Sequence, residues 1–346
     1  MGVSLSEITT SDAASFRQME QLLRRAGLRL DKNLDYSCGL FDESGRLLAT
    51  GSCFGCTLRC LAVDPERRGE GLLNLLVTHL VERLVERGVS RVYLCTKAAN
   101  SPFFRELGFY EIVRSSDGLC FMENRRGAFS GYLQRLSLNR SDGRSAAVVM
   151  HANPFTLGHR YLLERAAAEN DRVFLFLLSE ESGPIPFSVR RQLVRRDIAD
   201  LDKVVCLDSG PYMISSSTFP SYFLPDEDDT ILAHAGIDLQ VFLRVAEALG
   251  IRSRYVGEEK SSHVTAVYNR MMHQLLPPRG VEVHEIPRLT RDGVVVSASS
   301  VRQAIHDGDA DTLRLMLSEA SLRYWESAEA APVVEAIRRM ASPRHH

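Results

Sequence analysis

The chain has 346 residues, 45% of them hydrophobic and 25% charged, with 42 Lys and Arg against 44 Asp and Glu for a net charge of −2. That length exceeds what one compact core usually serves, so two domains are expected. The near-neutral balance and the lack of an apolar run of membrane-spanning length argue against nucleic-acid and membrane partners, and Met1 to Glu7 lack the basic and apolar regions of a signal peptide, so a cytoplasmic enzyme is expected.

In chain order, residues 11–30 read as a helix with Phe16, Met19, Leu22 and Leu23 on one side. Strand-like segments follow at 36–41 and 47–50, parted by the turn Asp42 to Gly45. Cys53, Cys56 and Cys60 have a spacing that invites a metal reading. No fourth ligand lies near them, so reduced thiols in a β-region and no metal site are expected. The stretch Leu61 to Gly71 leads into a helix over 72–87, where Leu72, Leu76, Leu80 and Leu84 form one apolar row. A strand feeding the glycine loop Arg68, Gly69, Glu70, Gly71 at a helix N-terminus suits a pyrophosphate. A strand at 91–95 and the segment Asn100 to Phe109 complete this part.

Residues 124–144 mix Arg, Gly, Ser, Asn and Asp and mark a boundary. The expected division is a first domain over 1–130, a linker over 131–144 and a second domain over 145–346 ending in helices. Ala146 to Met150 is a continuous apolar run, as in a strand buried on both faces. The loop His151 to Thr156 and a helical pattern come next, with Leu157/Tyr161 and Leu162/Ala166 spaced by four. Thr156 can cap that helix and donate to a phosphate oxygen, and His159 in the first turn can reach the same anion. Gly158 has no Cβ to hold off a base or ribose. Further strands are expected at 173–178, 204–207, 255–257 and 281–283, with a helix at 188–201. The alternation predicts a doubly wound parallel sheet with its site at the carboxyl ends of the strands. Arg190, Arg191, Arg195 and Arg196 read as an exposed helix surface, and Asp226 to Asp229 as a solvated loop. Val296 to Arg302 opens a helix over 299–306, gathering hydroxyls and a guanidinium that can grip phosphate with two parallel bonds.

Two families are suggested by these blocks. Asn153, Pro154, Phe155, Thr156, Gly158 and His159 resemble the (H/T)xGH signature of the nucleotidyltransferase superfamily, and Ser297, Ser299, Ser300 and Arg302 resemble its I-S-x-T-x-x-R element, with Ser299 in place of Thr. Val63, Pro65, Arg68 and Gly71 resemble the pyrophosphate loop of the GNAT N-acetyltransferases, and Asn100, Phe104, Gly108 and Phe109 their later motif. Leu73 stands where that family has Gly or Ala, so docking of a CoA-like arm is expected there rather than acetyl transfer. A GNAT-like mixed α/β domain, the Asn-Pro-Phe-Thr-x-Gly-His block, the hydroxyl-rich stretch Ile214 to Leu224, and Tyr255 to Glu259 together resemble the citrate lyase ligase family along nearly the whole chain.

That resemblance implies an acid–thiol ligase. It would use ATP to acetylate the prosthetic-group thiol of citrate lyase's acyl-carrier subunit through an acetyl-adenylate, releasing AMP and pyrophosphate. Thr156, His159 and Arg302 would carry the phosphate chemistry. Asn153, Pro154, Phe155, Gly158, Gly257, Glu258, Ser297, Ser299 and Ser300 would shape the nucleotide site, with Arg68, Gly69 and Gly71 binding the CoA-like group. Mg²⁺ would bridge phosphate oxygens without being held by protein residues alone. His151 and Ser215 to Thr218 are further candidates. Three alternatives stay open: an adenylyltransferase of a phosphorylated small molecule, a GNAT acetyltransferase with a passenger domain, and a non-catalytic nucleotide-binding module.

Overall fold

A computed structural model describes residues 2–31, 33–181, 183–213, 227–259 and 263–343. The chain divides into two compact units, Met1–Tyr132 with Thr218–Val241, and Leu133–Ser217 with Phe242–His346.

The first unit runs β1 (Ser4–Glu7), α1 (Ala13–Arg25), β2 (Tyr36–Phe41), β3 (Leu47–Phe54), β4 (Thr57–Val63), α2 (Leu72–Glu86), β5 (Tyr93–Lys97), α3 (Ser101–Glu106), β6 (Tyr110–Arg114) and β7 (Leu119–Glu123). Asp12 caps α1 by accepting from the Ala14 and Ser15 amides, and Met19, Leu22 and Leu23 are fully buried on its inner face. The apolar row of α2 is buried as its spacing requires, whereas Val85 at the end of the neighbouring row is 55% exposed. The sheet order is β1-β2-β3-β4-β5-β7-β6, antiparallel except between β4 and β5. Those two strands pair only at Thr57 with Tyr93 and Leu58 with Leu94 before they part. Cys53 lies in β3, Cys60 in β4 and Cys56 between them. Among the described residues no group of three or more His, Cys, Asp and Glu is placed to hold a metal.

The expected linker differs. Residues 128–137 form α4 (Ala128–Ser137), because Phe129, Tyr132 and Leu136 share a face and are buried, and the Glu123 carboxylate accepts from the Phe129 amide. Polar composition had concealed that periodicity.

The second unit continues with β8 (Ser145–Met150), α5 (Leu157–Glu169), β9 (Arg172–Leu177), α6 (Phe187–Asp197), β10 (Val204–Asp208), α7 (Glu227–Leu249), β11 (Ile251–Gly257), α8 (His263–Leu275) and β12 (Glu282–Ile286). The first part of α7, through Val241, belongs to the first unit. Five parallel strands stand in the order β10-β9-β8-β11-β12. Ala146, Ala147, Val148 and Val173 to Leu177 have no exposed surface, as strands covered on both faces require. The order reverses between β8 and β11, which opens a crevice at their carboxyl ends. The short pair β13 (Thr290–Arg291) and β14 (Val294–Val295) leads to α9 (Ala298–Asp307), α10 (Ala310–Met316), α11 (Glu319–Trp325) and α12 (Ala331–Arg338). Val301, Ile305, Met316, Trp325 and Ile337 form their core.

Two expectations need correction. Arg190 is fully buried, not surface-exposed. It lies one helical turn from Leu193 and Val194 on the inner face of α6, and its guanidinium donates to the carbonyls of His151, Leu178, Glu180 and Ile185. Four acceptors make that burial tolerable, and they tie the loops leaving β8 and β9 to one side chain. The acidic run likewise is not a loop throughout, since Glu227 to Asp229 open α7, where negative charge favours a helix start. Asp226 and the hydroxyl-rich stretch Ile214 to Leu224 lie outside the described residues. No described helix is long and apolar enough to cross a membrane.

Candidate functional site

A cavity of about 940 Å³ opens at the crevice in the second unit. Thr156, Gly158 and His159 from the start of α5 line it, as do Gly257 and Glu258 after β11 and Ser297, Ser299 and Arg302 at the start of α9. Residues far apart in the chain, from Val149 to Arg302, thus share one wall system. Asn153, Pro154, Phe155 and Ser300 support this lining without forming it. Phe155 is buried and its ring lies 5.5 Å from that of His159 at 22°. A cis peptide joins Asn153 to Pro154.

The start of α5 is a capping box. The Thr156 hydroxyl oxygen accepts from the His159 amide at 3.4 Å, and the Thr156 amide donates to His159 Nδ1 at 3.1 Å. The same hydroxyl lies 2.9 Å from Nδ1 and can donate to it. Nδ1 therefore carries no proton, and the neutral ring holds its hydrogen on Nε2. The hydroxyl of Thr156, expected to meet phosphate, is instead engaged in fixing this ring. Gly158 also acquires a different reason. A Cβ there would sit 3.2 Å from the Val296 carbonyl oxygen, so glycine lets the two motif-bearing segments approach.

Burial, with the charge of Arg288 added, pushes the His159 ring down to about 4. The folded value lies below the ordinary 6.5, so the unfolded chain takes up the proton first. The stability contributed by the neutral ring should therefore decline as pH falls from 6.5 toward about 4. The ring C–H resonances of His159, assigned by their loss in His159→Gln, should stay flat from roughly pH 8 to 5.5 instead of titrating at the ordinary value. A midpoint near that ordinary value would refute the buried neutral ring.

Ser297 caps α9, accepting from the Ser300 amide at 3.1 Å, with its hydroxyl 3.0 Å from that of Ser299 and 2.8 Å from that of Ser300. Arg302 is 5% exposed. Its Nε donates to the Pro343 carbonyl at 2.7 Å and its Nη1 to the Asn153 carbonyl. The fork expected on phosphate is thus partly committed to backbone, while the charge remains at the cavity wall. Burial holds its pKa below the usual guanidinium range. His151 is not among the lining residues; its Nε2 lies 3.7 Å from Glu180 Oε1. Sequence reading missed Arg288 and Pro287, which follow the last strand of the sheet. The rule that ligands bind beyond the carboxyl ends of parallel strands was the signal that could have found them.

The first unit has a separate cleft of about 710 Å³. Arg68, Gly69, Gly71 and Leu73 line it, together with the parted edges of β4 and β5. Gly71 is the N-cap of α2 at φ 76°, with no side-chain cap, and Gly69 has φ 88°. Glu70, which places negative charge on this loop, lies 3.4 Å from Arg67 Nε.

Comparison with known proteins bears on both units. Residues 6–109 match the model of the acetyltransferase (GNAT) family, and residues 145–325 match that of the citrate lyase ligase C-terminal domain. A citrate (pro-3S)-lyase ligase of Klebsiella pneumoniae is 35% identical over 312 residues, covering 88% of this chain and 91% of its own. Proteins of the same name from Haemophilus influenzae and Escherichia coli are 32% and 31% identical, with 88% and 93% of this chain covered and 93% of each relative. Identity of this extent, spanning both units, places the chain in the citrate lyase ligase family.

Proposed function

We propose that the protein uses ATP to join acetate to the prosthetic-group thiol on the acyl-carrier subunit of citrate lyase, by way of acetyl-adenylate. The observation that carries this reading is the convergence of two helix starts, α5 and α9, on one cavity beyond β8 and β11. Their unpaired amides and dipole ends favour a polyphosphate. The acetate carboxylate attacks the α-phosphorus and pyrophosphate leaves; the carrier thiolate then attacks the acetyl carbon and AMP leaves. Neither step needs a protein nucleophile, so positioning and charge neutralisation supply the rate. His159 Nε2–H, Ser299 and Arg302 are the side chains proposed to do this.

Magnesium fits the site as a companion of ATP. The lining carboxylates are Glu258 and Glu259, and Glu259 is paired with Arg288, so the ion would be held mainly by phosphate oxygens with Glu258 beside it. It would supply charge neutralisation when bound.

The test is incubation with ATP, labelled acetate and deacetylated carrier. Label on the carrier with AMP and pyrophosphate as products supports the reading. An AMP conjugate would favour a plain adenylyltransferase, and acetyl-CoA consumption without ATP would favour a GNAT reaction.

The first-unit cleft is proposed to receive the carrier's pantetheine-type arm. Parted strand edges offer backbone groups to its amides, and the Gly69–Gly71 loop offers amides to its phosphate. Arg68 is exposed on that loop, so Arg68→Glu should leave the fold intact and raise the KM for carrier by roughly tenfold. Acetate-dependent ATP–pyrophosphate exchange should be unchanged. Equal KM values for carrier in variant and parent would remove the cleft from the reaction.

A further inference from the structure

Among the charged groups that line the second-unit cavity, Arg288 differs from Arg302 in how its guanidinium is held. Its side chain is 35% exposed, against 5% exposure for residue Arg302. Its Nε donates to the Glu258 carbonyl at 2.9 Å, and its Nη2 is paired with the Glu259 carboxylate, whose side chain is 10% exposed. The Glu258 amide in turn donates to the Ile286 carbonyl at 2.8 Å. Arg288 is therefore pinned across the carboxyl ends of β11 and β12, with Nη1 left without a protein partner among the described residues. Arg288 and His159 both line the cavity, so the guanidinium and the start of α5 face common space. A carboxylate pairing of this kind is available for exchange, because an incoming phosphate oxygen offers the same fork a stronger anion.

We propose that Arg288 is a phosphate-binding residue of this cavity, with Glu259 as the counter-ion it leaves when a nucleotide's phosphate chain enters. This rests on the reading of the cavity as the ATP site and assigns a residue that neither motif contains. The exchange divides the work between the two arginines. Arg288, the more accessible of the two, supplies ground-state grip on phosphate. Arg302, buried and tied to backbone, supplies a fixed field.

The test measures equilibrium binding of ATP, AMP and adenosine to the full chain by titration calorimetry. Arg288→Gln keeps a donor while shortening the side chain and removing the charge. It should weaken ATP by roughly tenfold, the size of one charge-assisted hydrogen bond, and leave adenosine within about twofold. Arg288→Lys should fall between the two, since it keeps charge and loses the fork. Glu259→Gln should tighten ATP by about threefold by removing the competing anion. Thermal melting of each variant checks that it folds. Unchanged ATP affinity in Arg288→Gln, or an equal loss of adenosine, overturns the assignment while leaving the ATP site in place. Weaker ATP binding in Glu259→Gln overturns the exchange. Failure of the parent chain to bind ATP overturns both this inference and the reading of the cavity.

Discussion

Replacing His159 by alanine is expected to lower acetate-dependent pyrophosphate formation by roughly 10²-fold or more, by analogy with the loss of one donor aimed at developing charge. The fold should survive. The substitution removes a stacking partner of Phe155 and the acceptor for the Thr156 amide, a loss of about 1 kcal/mol in the range of a helix cap. Two other variants separate the ring's nitrogens. Asparagine places its side-chain oxygen near the position of Nδ1, so it can restore the cap but offers nothing at Nε2. Glutamine can place its amide nitrogen near Nε2 or turn back to accept from the Thr156 amide as a capping-box partner, but not both at once. His159→Asn should therefore regain melting temperature yet stay as slow as alanine, whereas His159→Gln should recover part of the rate. Turnover near the parent value in His159→Asn would mean that the ring serves α5 as a cap and touches no phosphate.

What the sequence made legible in this site follows from short-range chemistry. Strand, loop and helix between Ala146 and Ala166 are set by a local apolar run and a local capping box, so their residues could be read together. The second motif was legible for the same reason, as a hydroxyl cap on α9. The links between such pieces were not. That Arg302 bonds the Asn153 carbonyl, 149 positions away, depends on how α9 packs, and no local pattern encodes it. Arg190 shows the limit from the other side. Four arginines on one short helix suggest a wet surface by composition, yet one of them faces inward because backbone carbonyls from the loops after β8 and β9 converge there. No helix was expected over 227–249, and nothing local there announced that its first part would group with the first unit. Removing residues 1–139 to isolate the second unit would therefore strip α7 of its neighbours, and point variants such as Arg68→Glu are the sounder probe.

Arg302→Lys is expected to reduce turnover by roughly 10²-fold while changing the apparent affinity for ATP by no more than about threefold. The reasoning combines geometry with the timing of charge. Arg302 is nearly buried, and two of its N–H groups are held by the Asn153 and Pro343 carbonyls, so its plane is fixed before substrate arrives. A fixed cation contributes most when negative charge builds on the departing pyrophosphate, because no reorganisation is needed at that moment. Lysine keeps the charge but cannot satisfy both carbonyls from one ammonium in the same planes. The Asn153 carbonyl would then lose its partner, and the loop that seats Phe155 beneath His159 would be less well set. Stability should fall as well, by about 1–3 kcal/mol for a buried acceptor left unmet. Steady-state kinetics on the folded variant resolve the two effects. A loss confined to kcat supports a charge that acts in the transition state. A matching rise in KM would show that Arg302 grips the ground state equally, and the division of labour with Arg288 would then fail.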